Sequence, residues 1–128
     1  MAGVKKTSDW VPERREIIWI DCSPQAGREM RDLHPFLVLS TRPFNERTSL
    51  VIGLPMTTAE YNKDNPFAVA IGKVKKGRSL VSAYVLCHQP KSFDWRARNA
   101  KPHPMGQLAE NVFTEACMIL NQIVQLEA

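Results

Sequence analysis

The one stretch with helical periodicity lies near the end of the chain, and what precedes it reads as short strands. Leu108, Val112, Ala116, Ile119, Leu120, Ile123 and Val124 recur at three and four residues. That spacing predicts an amphipathic helix of about five turns with one apolar stripe. One stripe cannot cover all the strands before it. The chain is therefore expected to be mainly β with a C-terminal α-helix: a strongly bent antiparallel sheet or small barrel with the helix packed on it.

The strands follow from residue type. Residues 16–21 (Glu-Ile-Ile-Trp-Ile-Asp) are β-branched and aromatic. Residues 34–40 are apolar on both alternations, which predicts a strand covered on both faces with Pro35 at its start. Residues 49–56 form a third strand, in which Gly53 signals a bulge or a close backbone approach. Residues 67–71, 80–89 and 91–94 complete the set. Between them, 23–33 and 58–66 read as polar loops, 41–46 as a turn or one helical turn, 72–78 as a basic turn, and 96–104 as loop. Residues 1–12 read as a flexible tail ending at Pro12, and 13–128 as a single domain.

At 128 residues, 44% hydrophobic and 23% charged, such a domain builds a core without disulfides or metal. Cys22, Cys87 and Cys117 are odd in number and lack CxxC spacing, so they read as reduced and mostly buried. No apolar run approaches the roughly twenty residues of a membrane span. The first ten residues carry no secretory signal. A cytoplasmic location and no membrane partner are expected. Phosphate-loop, dinucleotide and metalloprotease signatures are absent, and the three histidines are dispersed. Neither a metal nor a cofactor is expected.

The net charge is +4, unevenly spread. Between Lys73 and Lys101 eight basic residues face one acid, Asp94. A polyanion partner explains this block, and so does a solvated strand edge. Polar residues gather at strand ends: His34, Thr57 with Thr58, and His88 with Gln89. Arg28, Glu29 and Arg31 lie in the loop before His34. Each also has an ordinary reading as a hydrogen-bonded histidine, a turn cap or a loop charge. The residues alone reach a basic, mostly β domain with a polar site.

Several segments, taken in order, resemble one family. Glu16-Ile17-Ile18-Trp19-Ile20-Asp21-Cys22-Ser23-Pro24 with Gly27-Arg28-Glu29 is similar to the opening strand and DPxxGxEQxGxRP loop of the MazF/PemK/Kid toxins. Pro35-Phe36-Leu37-Val38-Leu39-Ser40 resembles their RPxLVLS strand, and Leu54-Pro55-Met56-Thr57-Thr58 their Pro-x-Thr strand end. Cys87-His88-Gln89-Pro90-Lys91-Ser92 with Asp94-Trp95-Arg96-Ala97-Arg98 resembles their DQxKSxxxxRA segment. The resemblance implies an SH3-like small barrel of antiparallel strands and a homodimer. It also implies the toxin of a toxin–antitoxin module. Such a toxin cuts single-stranded RNA, often mRNA, without metal, and a cognate antitoxin blocks its site with an acidic tail. In that chemistry the ribose 2′-hydroxyl attacks the adjacent phosphate, leaving a 2′,3′-cyclic phosphate and a 5′-hydroxyl.

The family's principal catalytic pair is an Arg before the Pro of RPxLVLS and the Thr of Pro-x-Thr. Here the Thr is Thr57, but the Arg position holds His34. The Asp before Gln-Pro is His88, an Arg two residues earlier is Leu86, and the Gly before the first strand is Arg15. The loop His of some members is Arg28, while the loop Glu is kept as Glu29. With roles redistributed, His34 takes the 2′-OH proton, since imidazole titrates near working pH. Arg28 or Arg31 supplies the cation, Thr57 bonds a phosphate oxygen, and His88 is the acid. Lys73, Lys75, Lys76 and Lys91 track phosphates. Tyr61 stacks on bases in preference to Phe67 and Trp95, which read as core. Glu29, Arg31 and Gln89 complete the RNA-binding set. Two alternatives stay open. One is a relative that binds RNA or an antitoxin peptide without cutting. The other is the gyrase poisoning known on this fold, against which the last six residues count because they lack Trp.

Overall fold

The computed structural model describes residues 9–23 and 33–126. Strands β1 (Glu16–Asp21), β2 (Leu33–Val38) and β3 (Leu50–Thr57) pair antiparallel in chain order, and helix α1 (Arg42–Thr48) links the last two. Strands β4 (Ala68–Lys76) and β5 (Ser79–Leu86) form a long hairpin. Strand β6 (Lys91–Asp94) lies beside β3, and β7 (Lys101–Gln107) beside β1. Helix α2 (Glu110–Val124) comes last. The order across the sheet is β4-β5-β3-β2-β1-β7, with β6 also paired to β3. It curls into a half-barrel carrying the C-terminal helix.

Both faces of the sheet are buried around β1, β2 and β3, as the double alternation of residues 34–40 predicts. Leu37, with Ile17, Leu54 and Val85, packs against Phe113 and Ala116 of α2. Phe36 and Val38, with Ile18, Ile20 and Val51, pack with Trp95 and Val11 on the other face. A buried polar network closes that second core. Asn45 Nδ2 donates to the Pro12 carbonyl (2.9 Å), and its Oδ1 accepts from Ser40 Oγ (2.6 Å). Trp95 Nε1 donates to the Asn45 carbonyl (2.8 Å). Trp10 meets Trp95 edge-on at 5.9 Å. Residues 10–12, read as the end of a tail, are thus packed: Val11 and Pro12 are buried.

Gly53 is where β2 and β3 press closest. A Cβ there lies 2.1 Å from the Leu37 carbonyl oxygen and 2.6 Å from the Phe36 ring. The first of these is backbone and has nowhere to go.

Several boundaries differ from the sequence reading. Residues 72–78 are not one basic turn: β4 runs through Gly72 to Lys76, and the turn narrows to Gly77-Arg78. Gly72, at φ 107°, sits at a register shift that lets the ladder continue. Residues 101–104 are strand, not loop. β7 is an edge strand, where Pro102 and Pro104 leave no central ladder position without its donor. Residues 41–46 belong to a two-turn helix, with Pro43 in its first turn. β5 stops at Leu86, so His88 stands in a turn. Helix α2 starts after Leu108, and its buried stripe centres on Phe113 and Ala116. Ile123 is 45% exposed, so the stripe does not reach the last turn within this chain.

Two outcomes follow. Gly53→Ala is expected to cost about 3 kcal/mol or more, from overpacking against fixed backbone, and urea unfolding measures it. His103 on β7 stacks on Trp19 (4.4 Å between rings), and its Nδ1 accepts the Met105 N–H (3.0 Å). Burial holds its pKa below 6.5. The unfolded chain then takes the proton more readily, so this contribution is complete above about pH 6.5 and is lost as pH falls through the lowered folded value. His103→Phe is expected to lose less melting temperature than the parent between pH 7 and pH 5.

Candidate nucleic-acid interface

Strand register decides which polar residues share a face. Cross-strand partners point the same way. Ile20 faces His34, Ile18 faces Phe36, and Phe36 faces Pro55. Alternation along β3 carries Thr57 to that same face. Continuing the β2–β3 count sets Thr57 against His34, one step past the last β2–β3 pairs, while the other edge of β3 passes from β6 to β5. Met56 and Thr57 pair with Val85 and Tyr84 of β5. His34 is exposed and Thr57 half-buried at this junction. The Thr57 Oγ1 accepts the Ala59 N–H (3.1 Å), which leaves its own O–H to donate outward.

A cleft of ≈ 320 Å³ opens on this face, lined by Cys22, Ser23, Pro55, Gln89, Lys91, Phe93 and Arg98. The Phe36 and Phe93 rings, 5.4 Å apart, tie it to the second core. Arg98 is its anchored cation. Its guanidinium lies 4.7 Å over the Phe93 ring, and Nη1 donates to the carbonyls of Asp21 (3.0 Å) and Ser23 (2.6 Å). The Arg98 carbonyl in turn accepts the Asp21 N–H. Buried Asp21 accepts both N–H and Oγ–H of Ser23 through Oδ1 (3.0 and 2.6 Å). These bonds hold the end of β1 where the chain enters the segment before β2.

The candidates divide by place. Gln89 and Lys91 line the cleft. His88 is exposed in the turn after β5, its ring 5.7 Å from that of Phe67 and its Nε2 3.4 Å from Gln89 Nε2. Phe67 is half-exposed at that edge, so its core reading is corrected, whereas Trp95 is buried. Lys76 Nζ donates to Thr58 Oγ1 (3.2 Å), which joins the end of β4 to the residue after β3. Lys73 and Lys75 are exposed on the opposite strand face from Lys76. Tyr61 is 79% exposed on a 3-10 turn (Glu60–Asp64). That turn is pinned by buried Asn62, which donates to the Ala59 carbonyl and accepts from Asn65. Arg28, Glu29 and Arg31 lie outside the described residues.

Sequence reasoning did not assign Arg98, Phe93 or Cys22. The Trp-Arg-Ala-Arg run contains two arginines, and nothing local distinguishes Arg98, whose partners stand at Asp21 and Ser23. Among the described residues no three His, Cys, Asp or Glu side chains gather as a metal site, and no helix is long and apolar enough to cross a membrane.

Burial pushes the Cys22 thiol from 9.0 up to about 11, with Asp21 adding to the rise and Arg98 and Lys91 opposing it. The thiolate is the reactive form. Cys22 is therefore expected to react with iodoacetamide at pH 8 about a hundredfold more slowly than in the unfolded chain, read by mass spectrometry of the labelled peptide.

Comparison with known proteins agrees with this architecture. The chain is 35% identical over 94 residues to the endoribonuclease toxin MazF of Escherichia coli K12, a match covering 73% of this chain and 78% of that one. Its structure is similar to MazF from Deinococcus radiodurans, with a TM-score of 0.72 and 31% identity over 92% of this chain and all of that one. It is also similar to a chain of the MazE–MazF complex from the same organism, with a TM-score of 0.70 and 28% identity over 91% and 97%. Residues 13–124 match the family of PemK-like, MazF-like toxins of type II toxin–antitoxin systems. With that match running from before β1 to the end of α2, the chain belongs to this toxin family.

Proposed function

We propose that this chain is a toxin that cuts single-stranded RNA at the junction of β2, β3 and β5. One observation carries the reading: register puts His34 and Thr57 on a single face, beside a cleft holding Gln89, Lys91 and Arg98. The named activity of the E. coli relative supports it.

Cleavage needs a base for the 2′-hydroxyl, an acid for the leaving oxygen, and positive charge around the crowded phosphorane. His34 is the base and Thr57 donates its O–H to a phosphate oxygen. His88 is the acid. Lys76, whose ammonium rests against Thr58, brings a cation next to Thr57, and Arg28 contributes a second. The products are a 2′,3′-cyclic phosphate and a 5′-hydroxyl, and no metal takes part. Bases enter the cleft beside Gln89 and Arg98, and Tyr61 stacks on a flanking base. Lys91, Lys73 and Lys75 meet phosphates, so binding weakens as salt rises. Glu29 and Arg31 help select the sequence that is cut.

The solved MazE–MazF complex supports an antitoxin partner for this chain too. An acidic antitoxin tail suits the same basic cleft and competes with RNA there. The active form is a homodimer, and Met118, Ile123, Val124 and Leu126 at the end of the chain offer exposed apolar area for association.

The test is a long mixed-sequence single-stranded RNA incubated with antitoxin-free protein in EDTA, with product ends mapped. Discrete cuts with cyclic-phosphate and 5′-hydroxyl ends are expected, slowed at least tenfold in His34→Ala at unchanged melting temperature. Parental rates in that variant remove His34 from the mechanism. No cuts by folded protein leave a chain that binds RNA or antitoxin without cutting.

A further inference from the structure

A second basic cleft lies at the other end of β1, on residues to which the cleavage reading gives no role. Arg14 and Arg15 immediately precede the six-residue strand, whose far end reaches Asp21 and the first cleft. At about 3.3 Å per residue the two clefts stand roughly 20 Å apart. The second has a volume of ≈ 400 Å³ and is lined by Arg14, Arg15, Gln107, Glu110, Phe113 and Thr114. That lies within the range of small-molecule sites.

Both guanidinium groups are held in place with donors to spare. Arg14 lies 4.9 Å over the Phe113 ring, and its Nη1 donates to the Leu39 carbonyl. Arg15 Nη2 donates to Gln107 Oε1 (3.0 Å). Among the described residues its ion-pair partner is Glu110, 4.0 Å from Nη1 and largely exposed, so that pair is weak. The Arg15 Nε–H is buried with no acceptor among the described residues. The Arg15 backbone also sits at φ 79°, a left-handed conformation that disfavours a side chain. Its N–H and carbonyl are tied to Val38 and Leu108, which prevents relaxation. A buried unpaired donor and a left-handed non-glycine residue are both destabilising. Such costs collect at binding sites. An oxyanion between the two arginines takes up their outward N–H groups and their charge. Ala109, which precedes α2, supplies no capping side chain, so the first N–H groups of α2 lie beside the same cleft.

We propose that the Arg14–Arg15 cleft binds a phosphoryl group, as a site separate from the cleavage site. Arginine is the side chain suited to phosphate, through its planar fork of donors. Glu110 stands at the rim and swings away toward solvent when the anion enters. The source is either a phosphate of a nucleic acid strand passing both clefts or a small phosphorylated molecule. The inference does not rest on the cleavage chemistry.

The experiment is a titration of the ¹⁵N-labelled full chain, observing backbone amides and arginine side chains by NMR. One arm uses inorganic phosphate and the other a single-stranded 2′-deoxy oligonucleotide. Saturable shifts at Arg14, Arg15 and residues 110–114 are expected. Their midpoint is expected to move at least tenfold higher in Arg15→Gly, where glycine accepts the same φ without strain. Arg14→Ala is a second variant with the same expected weakening. An oligonucleotide that saturates these signals at lower concentration than phosphate assigns the site to nucleic acid, and the reverse order assigns it to a small phosphate. Shifts confined to Gln89, Lys91 and Arg98 overturn the proposal and leave the cleavage reading standing. So does linear, non-saturating movement at the second cleft, which marks an adventitious ion only.

Discussion

A strand buried on both faces needs cover on both sides. Phe36 and Leu37 are neighbours in β2, point in opposite directions, and are both fully buried. Ile17 and Ile18 in β1 repeat the pattern. Removing one such side chain from water is worth about 2 kcal/mol, so neither face can be left open. Helix α2 covers one face. The other is covered by pieces that form no layer of their own: residues 10–12, helix α1 and Trp95. Asn45 joins the three through its side chain and carbonyl, and this explains why a polar residue is fully buried there.

The candidate cleft stands on one of these covered faces. Strand β3 pairs with β6 and β2 along its first part and with β5 at its end. His34 and Thr57 stand just past the last β2–β3 pairs. Strands β2 and β3 approach closely at Gly53, where any side chain meets backbone. The cleft then takes its floor from the second core through Phe93, and its charge from Arg98 and Lys91. Polar chemistry thus stands on a packed apolar base, and buried Asp21 holds the end of β1.

Local pattern was legible where one physical preference dominated. The double alternation of residues 34–40 meant two covered faces, and the structure has two cores. Gly53 read as a bulge or a close approach, as a glycine inside a strand does, and it is the close approach that the structure has. Pattern misled where two preferences competed. Gly72 and the lysines after it looked like a turn, yet a bulge absorbs the glycine and the hairpin carries the lysines on exposed strand positions. Pro102 and Pro104 argued against a strand, but an edge strand tolerates them. The terminal helix kept its period past the point where the sheet stops supporting it, so Ile123 is apolar without being buried in this chain.

Residue order alone determined the class of the molecule: a run of short strands, one closing helix, an apolar middle and a basic second half. It also singled out His34, Thr57, Gln89 and Lys91, because polar residues at strand ends in a resembling motif order are visible locally. Tertiary structure decided which of them meet. Arg98 reaches the cleft only because β1 ends beside it, and Lys76 reaches Thr58 only because β5 pairs with both β4 and β3. Arg14 and Arg15 share a cleft with Phe113 only because α2 packs over the start of β1. Side-chain period is a property of neighbours along the chain. Register and curvature depend on contacts between residues far apart in it, and these follow from which faces must be covered.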